Sequence, residues 1–404
     1  ANSRIALIGN YHGTASRYTT VLEGIQDAVE GKGRVLYSEG CHLFKDRVEP
    51  LAWKNDRLAE AITVAKRSNV VILTLGLDET LEGEEGDTGN AAASGDKLDL
   101  LLPEPQRILL DRILELGKPV IVLLMAGSAI DLSAAQEKAD AILLTWYPGA
   151  GGGKAVADLL FGAASPSGKL PVTFYRNEAL SEMPDFTDYS MKNRTYRYYT
   201  GTPLYPFGYG LTYGDVHVTE LSADREWACV TVENRGRATE EVVQLYIAPP
   251  KSGIFRPVRE LKGFERVELE PGESKTVEFT LDDRSFAIWS EGWKIPSGAY
   301  AVQIAASSRD IRLEESIEIF GEEISTPVWQ AGSWYESVSG KPSREEWEKL
   351  MGHPVPIIPE PKKGQFTMDS TCMEMKDHSF VMKIMFKAVE MVIAKGNGGK
   401  VDYE

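Results

Sequence analysis

The sequence predicts an α/β doubly wound sandwich domain, an all-β sandwich after it, and a C-terminal extension that contains a helix. Three observations predict this order. Apolar runs alternate with helical patterns in the first half, short alternating strands separated by Pro-Gly and Ser-Gly turns follow, and a Pro-rich linker at 354–361 precedes one amphipathic segment. A length of 404 residues is consistent with two or three domains.

The α/β domain is predicted to span residues 1–213. Its strand candidates are apolar runs at 4–8, 35–37, 70–75, 120–125 and 141–146. Helical patterns lie between them at 20–29, 57–67, 104–116 and 153–160. The runs at 70–75 and 120–125 are apolar at almost every position. This pattern indicates strands buried on both faces, as in a parallel sheet covered by helices.

The second domain is predicted to span residues 214–321. Its strand candidates alternate apolar and polar residues at 227–233, 241–248, 274–281 and 298–305. About seven short strands in a hundred residues are typical of a β-sandwich. The extension, 322–404, ends in an amphipathic helix near 380–394. We expect Trp329, Trp334 and Trp347 to pack on a domain outside this chain or on a second subunit, because the extension has few elements that could bury them.

Charge and cysteine content narrow the possible partners and locations. The net charge is −16 and the pI is near 5.0, so we expect neither nucleic acid nor an anionic membrane as a partner. The three cysteines, Cys41, Cys229 and Cys372, predict no disulfide framework and no metal site, and we expect no cofactor. They favour a cytoplasmic location. No signal peptide opens the chain, and a start without methionine on a strand pattern predicts a fragment or processed piece.

Two glycine-containing segments invite a nucleotide-binding interpretation of a doubly wound sheet. The segment GNYHG at 9–13 lacks the spacing of a dinucleotide fingerprint. The segment GGGK at 151–154 partly matches a P-loop. A P-loop also needs a glycine five residues before the last glycine and a serine or threonine after the lysine, but these positions are Pro148 and Ala155 here. We therefore expect tight strand-to-helix turns here, with nucleotide binding kept as an alternative.

The loop after the strand at 70–75 is the most informative segment for chemistry. It reads GLDETLEGEEGD at 76–87, and it leaves the carboxyl end of a buried strand, where open α/β sheets bind ligands. Crowded carboxylates raise one another's pKa, which keeps a glutamate protonated for use as an acid. From composition alone, a solvated acidic loop or a loose Ca²⁺ site is the stronger alternative.

This loop resembles the acid/base loop of the family 3 glycoside hydrolases, in which GLDxTxEGE follows a strand. Other motifs resemble the same family in the same order: YHGTASRYTTVLEGI at 11–25, KLDLLLPEPQ at 97–106, GKPVIVLL at 117–124, WYPG at 146–149, GAASPSGKLPVTF at 162–174, RTYRYY at 194–199 and LYPFGYGLTY at 204–213. NRG at 234–236 and ELKGF at 260–264 resemble the fibronectin type III-like module that follows it. The resemblance covers about residues 4–320.

The resemblance implies a retaining exo-β-glycosidase, with β-glucosidase as the first choice and β-xylosidase or a related glycosidase as the alternative. It places the general acid/base at Glu84, with Glu82 and Glu85 as neighbours that could be confused with it. The loop departs from the family by reading EEGDT at 84–88 where EGxDR is common. The family's nucleophilic aspartate lies on a (β/α)-barrel, for which this chain has no segment of sufficient length. We therefore expect the chain to be inactive by itself.

His12, Arg17 and Asp87 are the candidates for contacts to the substrate, although Arg17 could equally form a structural ion pair. Tyr196, Tyr198 and Tyr199 could stack on a sugar, but core packing is favoured for them. The expected partners are a β-glucoside or oligosaccharide, a barrel domain or chain, and in one alternative a second copy of the protein. A non-catalytic carbohydrate-binding or adhesion module remains the alternative function.

Overall fold

A computed structural model describes residues 1–83, 97–252, 254–324, 332–356, 362–368 and 370–396, with the side chains of 393–396 excepted. The first domain contains helices α1 (Val21–Ala28) and α2 (Leu58–Lys66), strand β1 (Val71–Gly76), helix α3 (Glu104–Leu114), strand β2 (Val120–Met125), helix α4 (Ser133–Lys138), strand β3 (Ala141–Leu144), and helices α5 (Gly152–Leu160) and α6 (Thr195–Tyr198). The three strands form a parallel sheet in the order β1-β2-β3.

Helices cover both faces of this sheet. Val122 and Leu124 of β2 point into a core shared with α2, α3 and α4. The alternate residues Leu123 and Met125 point into a second core that contains Val21, Ile25 and Val156 of α1 and α5. Side chains of successive strand residues face opposite sides, so an apolar run buries both faces at once. The doubly wound α/β prediction is confirmed.

Two predicted strands are wrong. Residues Ile5–Leu7 form a 3-10 helix, and 35–37 have no regular secondary structure. Leu7 is nevertheless fully buried against the α1 and α5 core. A run of three to five apolar residues predicts burial, but its length fits a strand and a helical turn alike. The strand predicted at 141–146 ends at Leu144, since Trp146 has a φ of 53°, which an extended strand cannot accommodate.

Gly153, in the segment 151–154, and Gly24 let two helices approach each other. A Cβ on Gly153 would lie 2.0 Å from the carbonyl oxygen of Thr20, and a Cβ on Gly24 of α1 would lie 2.1 Å from the carbonyl oxygen of Gly153. No side chain fits at either position, because these distances are far inside van der Waals contact. The glycines therefore serve close packing of α1 and α5.

The second domain is a sandwich of two antiparallel sheets. Its strands are β4 (Val216–Ala223), β5 (Trp227–Asn234), β6 (Thr239–Ala248), β7 (Glu260–Leu269), β8 (Ser274–Thr280), β9 (Ile288–Trp289), β10 (Trp293–Lys294), β11 (Gly298–Ser307) and β12 (Asp310–Ile319). One sheet has the order β4-β5-β8 and the other β12-β11-β6-β7, while β9 and β10 form a separate two-stranded ribbon. In β5 every second residue is buried, so the all-β prediction is confirmed.

The two domains share an interface built from the segments that follow α5 and α6. The amide of Gln244 in β6 donates to the carbonyl oxygen of Gly208 at 3.0 Å, and the ring of Tyr196, which stacks on Phe207 of its own domain, meets the ring of Tyr246 in β6 edge-to-face with centroids 6.1 Å apart. Tyr199 is buried against Tyr175. These tyrosines pack inside the protein, as their spacing favoured.

The extension contains helices α7 (Arg344–Met351), α8 (Cys372–His378) and α9 (Phe380–Gly396). Trp334 is buried within this chain, and its indole N–H donates to the carbonyl oxygen of Gly340, so the expectation that Trp334 needs a partner is wrong. Trp347 is half-buried, and Trp329 lies outside the described residues. Across the part of the chain that the structure describes, no helix combines the length and apolar character needed to cross a membrane.

Candidate active site at the carboxyl edge of the sheet

The acidic loop starts at a position that only glycine can occupy. Gly76, the last residue of β1, has a φ of 148°, and a Cβ there would lie 1.8 Å from the carbonyl oxygen of Met125. The next residue, Leu77, donates its N–H to that same oxygen at 2.8 Å. The loop therefore leaves β1 in direct contact with β2, since no side chain separates the two backbones.

A buried glutamine of α3 hydrogen-bonds to the end of β1. Gln106 of α3 is only 2% exposed, and its carbonyl oxygen accepts from the N–H of Gly76 at 2.8 Å. Its amide group donates to the carbonyl oxygens of Gly76 and Leu43, each at 2.7 Å. One side chain thus satisfies backbone groups that the sheet leaves free, and it defines where the loop begins.

The first described carboxylate of the loop forms a local turn. The side chain of Asp78 accepts from the N–H of Thr80 at 2.9 Å and from the Thr80 hydroxyl at 2.6 Å. The backbone of Leu81 donates to the carbonyl oxygen of Asp78 at 2.9 Å, and Leu81 is buried. Asp78 is therefore a turn-forming residue, as aspartate commonly is at such positions.

Glu82 is held by donors from two other strand connections. Its Oε2 accepts from the N–H of Gly127 at 2.6 Å and from the hydroxyl of Tyr147, and its Oε1 accepts from the hydroxyl of Ser128. Gly127 and Ser128 follow β2, and Tyr147 follows β3. With both oxygens accepting from the protein, the Glu82 carboxylate serves as an anchor for its loop.

The ring of Tyr147 lies between two glycines. A Cβ on Gly9 would come within 2.7 Å of the ring, and a Cβ on Gly127 within 2.9 Å. Burial, together with the hydrogen bond to Glu82, raises the pKa of Tyr147 far above its usual range, so the phenol stays protonated and can donate. Backbone contact on the ring thus orients the hydroxyl toward Glu82.

Of the four predicted site residues, Glu84 and Asp87 lie outside the described residues, and so does Glu85. His12 lies beside the described part of the loop, with its Nε2 3.8 Å from an Oε2 of Glu79. Arg17 pairs instead with Glu23 in the first turn of α1, where Nη2 and Oε1 are 2.5 Å apart.

The Arg17 side chain is 73% exposed. This contact corresponds to the structural ion pair that the sequence left open for Arg17. The structure thus places His12 at the loop and Arg17 in the segment before α1, where it pairs with a residue of that helix. The assignment of substrate contacts to both stays a prediction.

Sequence reasoning missed the partners of Glu82. Gly127, Ser128 and Tyr147 directly follow runs that were correctly identified as neighbouring buried strands. The carboxyl ends of parallel strands meet at one edge of a sheet, so this signal was available. Within the described ranges, no group of three or more His, Cys, Asp or Glu side chains is placed to hold a metal ion.

Comparison with known proteins identifies the chain. Residues 1–213 match the model of the glycosyl hydrolase family 3 C-terminal domain. The chain belongs to glycosyl hydrolase family 3. Residues 241–308 match the fibronectin type III-like domain, which agrees with the order of the two folds described above.

Curated relatives of this family 3 chain include enzymes for two kinds of sugar. It is 32% identical over 351 residues to a periplasmic β-glucosidase of Salmonella typhimurium, a match covering 77% of this chain and 44% of that protein. It is 34% identical over 319 residues to a β-xylosidase of Formosa agariphila, covering 75% of this chain and 42% of that protein. The chain therefore spans less than half the length of these relatives.

A solved structure resembles this family 3 chain closely in fold. The crystal structure of a family 3 β-glucosidase from Bifidobacterium adolescentis matches with a TM-score of 0.65 and 30% identity. The match covers 84% of this chain and 50% of that one. The arrangement of a doubly wound domain and a sandwich is thus shared with a longer protein, of which this chain matches half.

Proposed function

We propose that this chain is the acid/base-bearing part of a retaining exo-β-glycosidase, with a β-glucoside as the first choice of substrate. The observation that carries the proposal is the anchored start of the acidic loop. Glu82 fixes the loop at the carboxyl edge of the sheet, and Glu84 follows it by two residues. Membership of glycosyl hydrolase family 3 supports the same chemistry.

The proposed reaction needs two carboxylates about 5–5.5 Å apart. An aspartate on a barrel, as the family resemblance implies, attacks the anomeric carbon and forms a covalent glycosyl-enzyme. Glu84 protonates the leaving oxygen in this step and then removes a proton from the water that hydrolyses the intermediate. His12, adjacent to the described part of the loop, and Asp87 are proposed to line the side of the leaving group.

The sugar is proposed from the names of relatives. The matched proteins include both β-glucosidases and β-xylosidases. We place β-glucoside first and β-xyloside second. Parallel assays of the complete enzyme on the two aryl glycosides, compared by kcat/KM, distinguish these substrates, since a pocket built for one of them discriminates by its contacts to the hydroxymethyl group.

Substitution of Glu84 tests the acid/base assignment in the enzyme that joins this chain to a nucleophile-bearing barrel. Glu84→Ala should slow substrates with poor leaving groups most, because those need protonation. Activated aryl glycosides should suffer less in the first step, and azide should restore turnover by attacking the intermediate. Glu85→Ala is the matched control. Azide rescue of Glu85→Ala, with full activity in Glu84→Ala, would move the assignment to Glu85.

A second candidate function is carbohydrate binding without turnover, and one feature of the sandwich favours it. Trp289 and Trp293, on the β9–β10 ribbon, are 66% and 49% exposed. Their rings lie 5.4 Å apart in an edge-to-face arrangement, and the Arg284 guanidinium covers Trp293. The Trp289 ring, the more exposed of the two, suits a sugar ring, which presents C–H groups on its faces and hydroxyls at its rim.

Binding of the chain to an insoluble β-glucan tests this second candidate. Retention that is lost in Trp289→Ala, with no turnover by the complete enzyme, would favour the binding function. Phe320→Ala removes another exposed aromatic side chain (95% exposed) and is the matched control. If the parent, Trp289→Ala and Phe320→Ala are retained equally on the β-glucan, the β9–β10 ribbon no longer supports a carbohydrate-binding function.

We propose a cytoplasmic location, with the periplasm as the alternative. The cysteines support a reducing compartment, since Cys41, Cys229 and Cys372 are all unpaired and disulfides are rare there. A relative named a periplasmic β-glucosidase is the reason for the alternative. Fractionation of the source cells, followed by detection of the protein with an antibody, decides between the two compartments.

A further inference from the structure

We propose that Glu82 is the positioning residue of the acid/base loop. Its carboxylate ties the loop after β1 to the connections after β2 and β3, and Glu84 follows it by two residues in the sequence. This inference rests on the proposed function, because it assigns a task to a residue of that same loop. Glu82 itself transfers no proton to substrate in this scheme.

The partners of Glu82 are themselves held by rigid elements. Gly127 follows Ala126, which is 0% exposed at the end of β2. Tyr147 follows β3, and backbone contacts from Gly9 and Gly127 confine its ring. Functional groups are placed accurately when the residues that support them are themselves fixed by packing and hydrogen bonds. The anchor therefore connects the loop to groups that burial and close packing hold in place.

The other carboxylates in the described part of the loop do not make such a connection. Asp78 accepts from Thr80, only two residues away. An Oε2 of Glu79 lies 3.8 Å from Nε2 of His12, and both of these side chains are about one-third exposed. Within residues 77–83, Glu82 is the acidic side chain that hydrogen-bonds to two other strand connections. Its loss should therefore release the loop, whereas loss of the other contacts should leave the loop attached.

Chain geometry makes the anchor relevant to Glu84. Two residues of extended chain span at most about 7 Å. Residue 84 can therefore lie no farther than about 7 Å from Glu82, and a shift of Glu82 by a few ångströms is large compared with that distance. A retaining pair works only near a separation of about 5–5.5 Å. Misplacement of about 1 Å can cost on the order of a hundredfold in rate.

The conservative variant separates positioning from acid catalysis. Glu82→Gln can keep an amide oxygen at the position of Oε2, where it accepts from Gly127 and Tyr147, and its NH₂ group can donate to the Ser128 hydroxyl. Glu82→Ala loses all three contacts. In the complete enzyme we expect Glu82→Ala to lower kcat/KM for poor leaving groups by at least tenfold, and Glu82→Gln to recover most of that loss.

Azide gives a second readout that a general structural defect would not produce. Glu82→Ala retains Glu84, so azide should restore little of its turnover, in contrast with Glu84→Ala. If Glu82→Gln is as slow as Glu82→Ala, and if azide restores the turnover of both variants, the proposal is overturned and Glu82 is the general acid. Unchanged kinetics in Glu82→Ala would overturn it as well.

Hydrogen exchange on the 404-residue chain tests the anchor without any turnover. We expect the amides of Leu81, Glu82 and Gly127 to exchange at least tenfold faster in Glu82→Ala than in the parent, and less so in Glu82→Gln. Glu104→Ala, which removes an exposed carboxylate of α3, is the matched control. Parent-like exchange in Glu82→Ala would overturn the anchor. An enzyme without glycosidase activity but with the expected exchange would instead contradict the proposed function alone.

Discussion

The ammonium of Lys169 lies 2.6 Å from a carboxylate oxygen of Glu241, and their side chains are only 10% and 17% exposed. Lys169 belongs to the segment after α5, and Glu241 belongs to β6 of the sandwich. Lys169 also donates to the carbonyl oxygen of Gly210 at 2.6 Å. A largely buried ion pair thus joins the two domains of the chain, in addition to the ring contact between Tyr196 and Tyr246.

Removal of one partner of this pair should destabilise the protein strongly. Lys169→Ala leaves the Glu241 carboxylate buried without its cation, and we expect a loss of about 3 kcal/mol in the free energy of unfolding. Urea unfolding measures it. The double variant Lys169→Met with Glu241→Leu is the matched control, and it should lie closer to the parent, because no uncompensated charge remains. A loss below about 1 kcal/mol in Lys169→Ala would contradict this account.

The same interface predicts that the two domains unfold together. We expect fragments cut near residue 216 to melt well below the temperature of the joined pair, since each loses the contacts of the other. Calorimetry of the 404-residue chain and of both fragments provides the comparison. Two fragments that each melt at the temperature of the parent would show that the domains are independent.

The start of the acidic loop predicts a severe effect from a small substitution. Gly76→Ala introduces a Cβ 1.8 Å from the carbonyl oxygen of Met125 at a φ of 148°. We expect it to cost about 3 kcal/mol or more, because backbone rather than a mobile side chain blocks the space. Gly31→Ala is the matched control, with a φ of 69° but no atom within 4 Å. Equal thermal midpoints for the two variants would refute the explanation.

The buried Tyr335 should make the free energy of unfolding depend on pH in the alkaline range. The phenol is buried and donates to Asp188 at 2.6 Å, and burial followed by the carboxylate raises its pKa. Because the pKa of Tyr335 is higher in the folded than in the unfolded state, its contribution to the free energy of unfolding is complete below about pH 10. Above that pH the unfolded tyrosine ionises, and the contribution falls as the pH rises. The expected decline is about 1.4 kcal/mol per pH unit for this one group.

Tyr335→Phe isolates this contribution from that of other tyrosines. It should lose about 2 kcal/mol near neutral pH, because the buried Asp188 carboxylate loses a donor, and it should decline less steeply than the parent above pH 10. Urea unfolding at pH 7, 10 and 11 measures both effects. Parallel curves for the parent and the variant would contradict the assignment of the slope to Tyr335.

The isolated chain should not hydrolyse glycosides. The proposed mechanism needs a second carboxylate on a barrel, and the matches cover only 42–44% of the relatives' length. We expect no turnover of an aryl β-glucoside by the 404-residue chain, and turnover after a barrel is supplied or fused. Clear activity of the isolated chain, lost in Glu84→Ala, would show that its nucleophile lies among these residues.

The apolar runs of the sequence were sufficient to predict the buried strands and helices. The segments 120–125 and 104–116 were placed within two residues of β2 and α3, because a long run or a long helical period fits one element only. The short runs at 4–8 and 35–37 were assigned as strands and are not strands. The apolar residues of a short segment predict that it is buried, whereas its secondary structure depends on the residues that pack around it.

The candidate site divides in the same way. The sequence by itself determined the family, through motifs spread over residues 4–320, and it determined that a cluster of carboxylates follows a buried strand. Only the tertiary structure decided the separate roles of those carboxylates. Asp78 bonds within its own turn, while Glu82 reaches Tyr147, 65 positions away in the chain. The physical reason is that a hydrogen bond depends on distances in space, and a linear pattern contains none for residues so far apart.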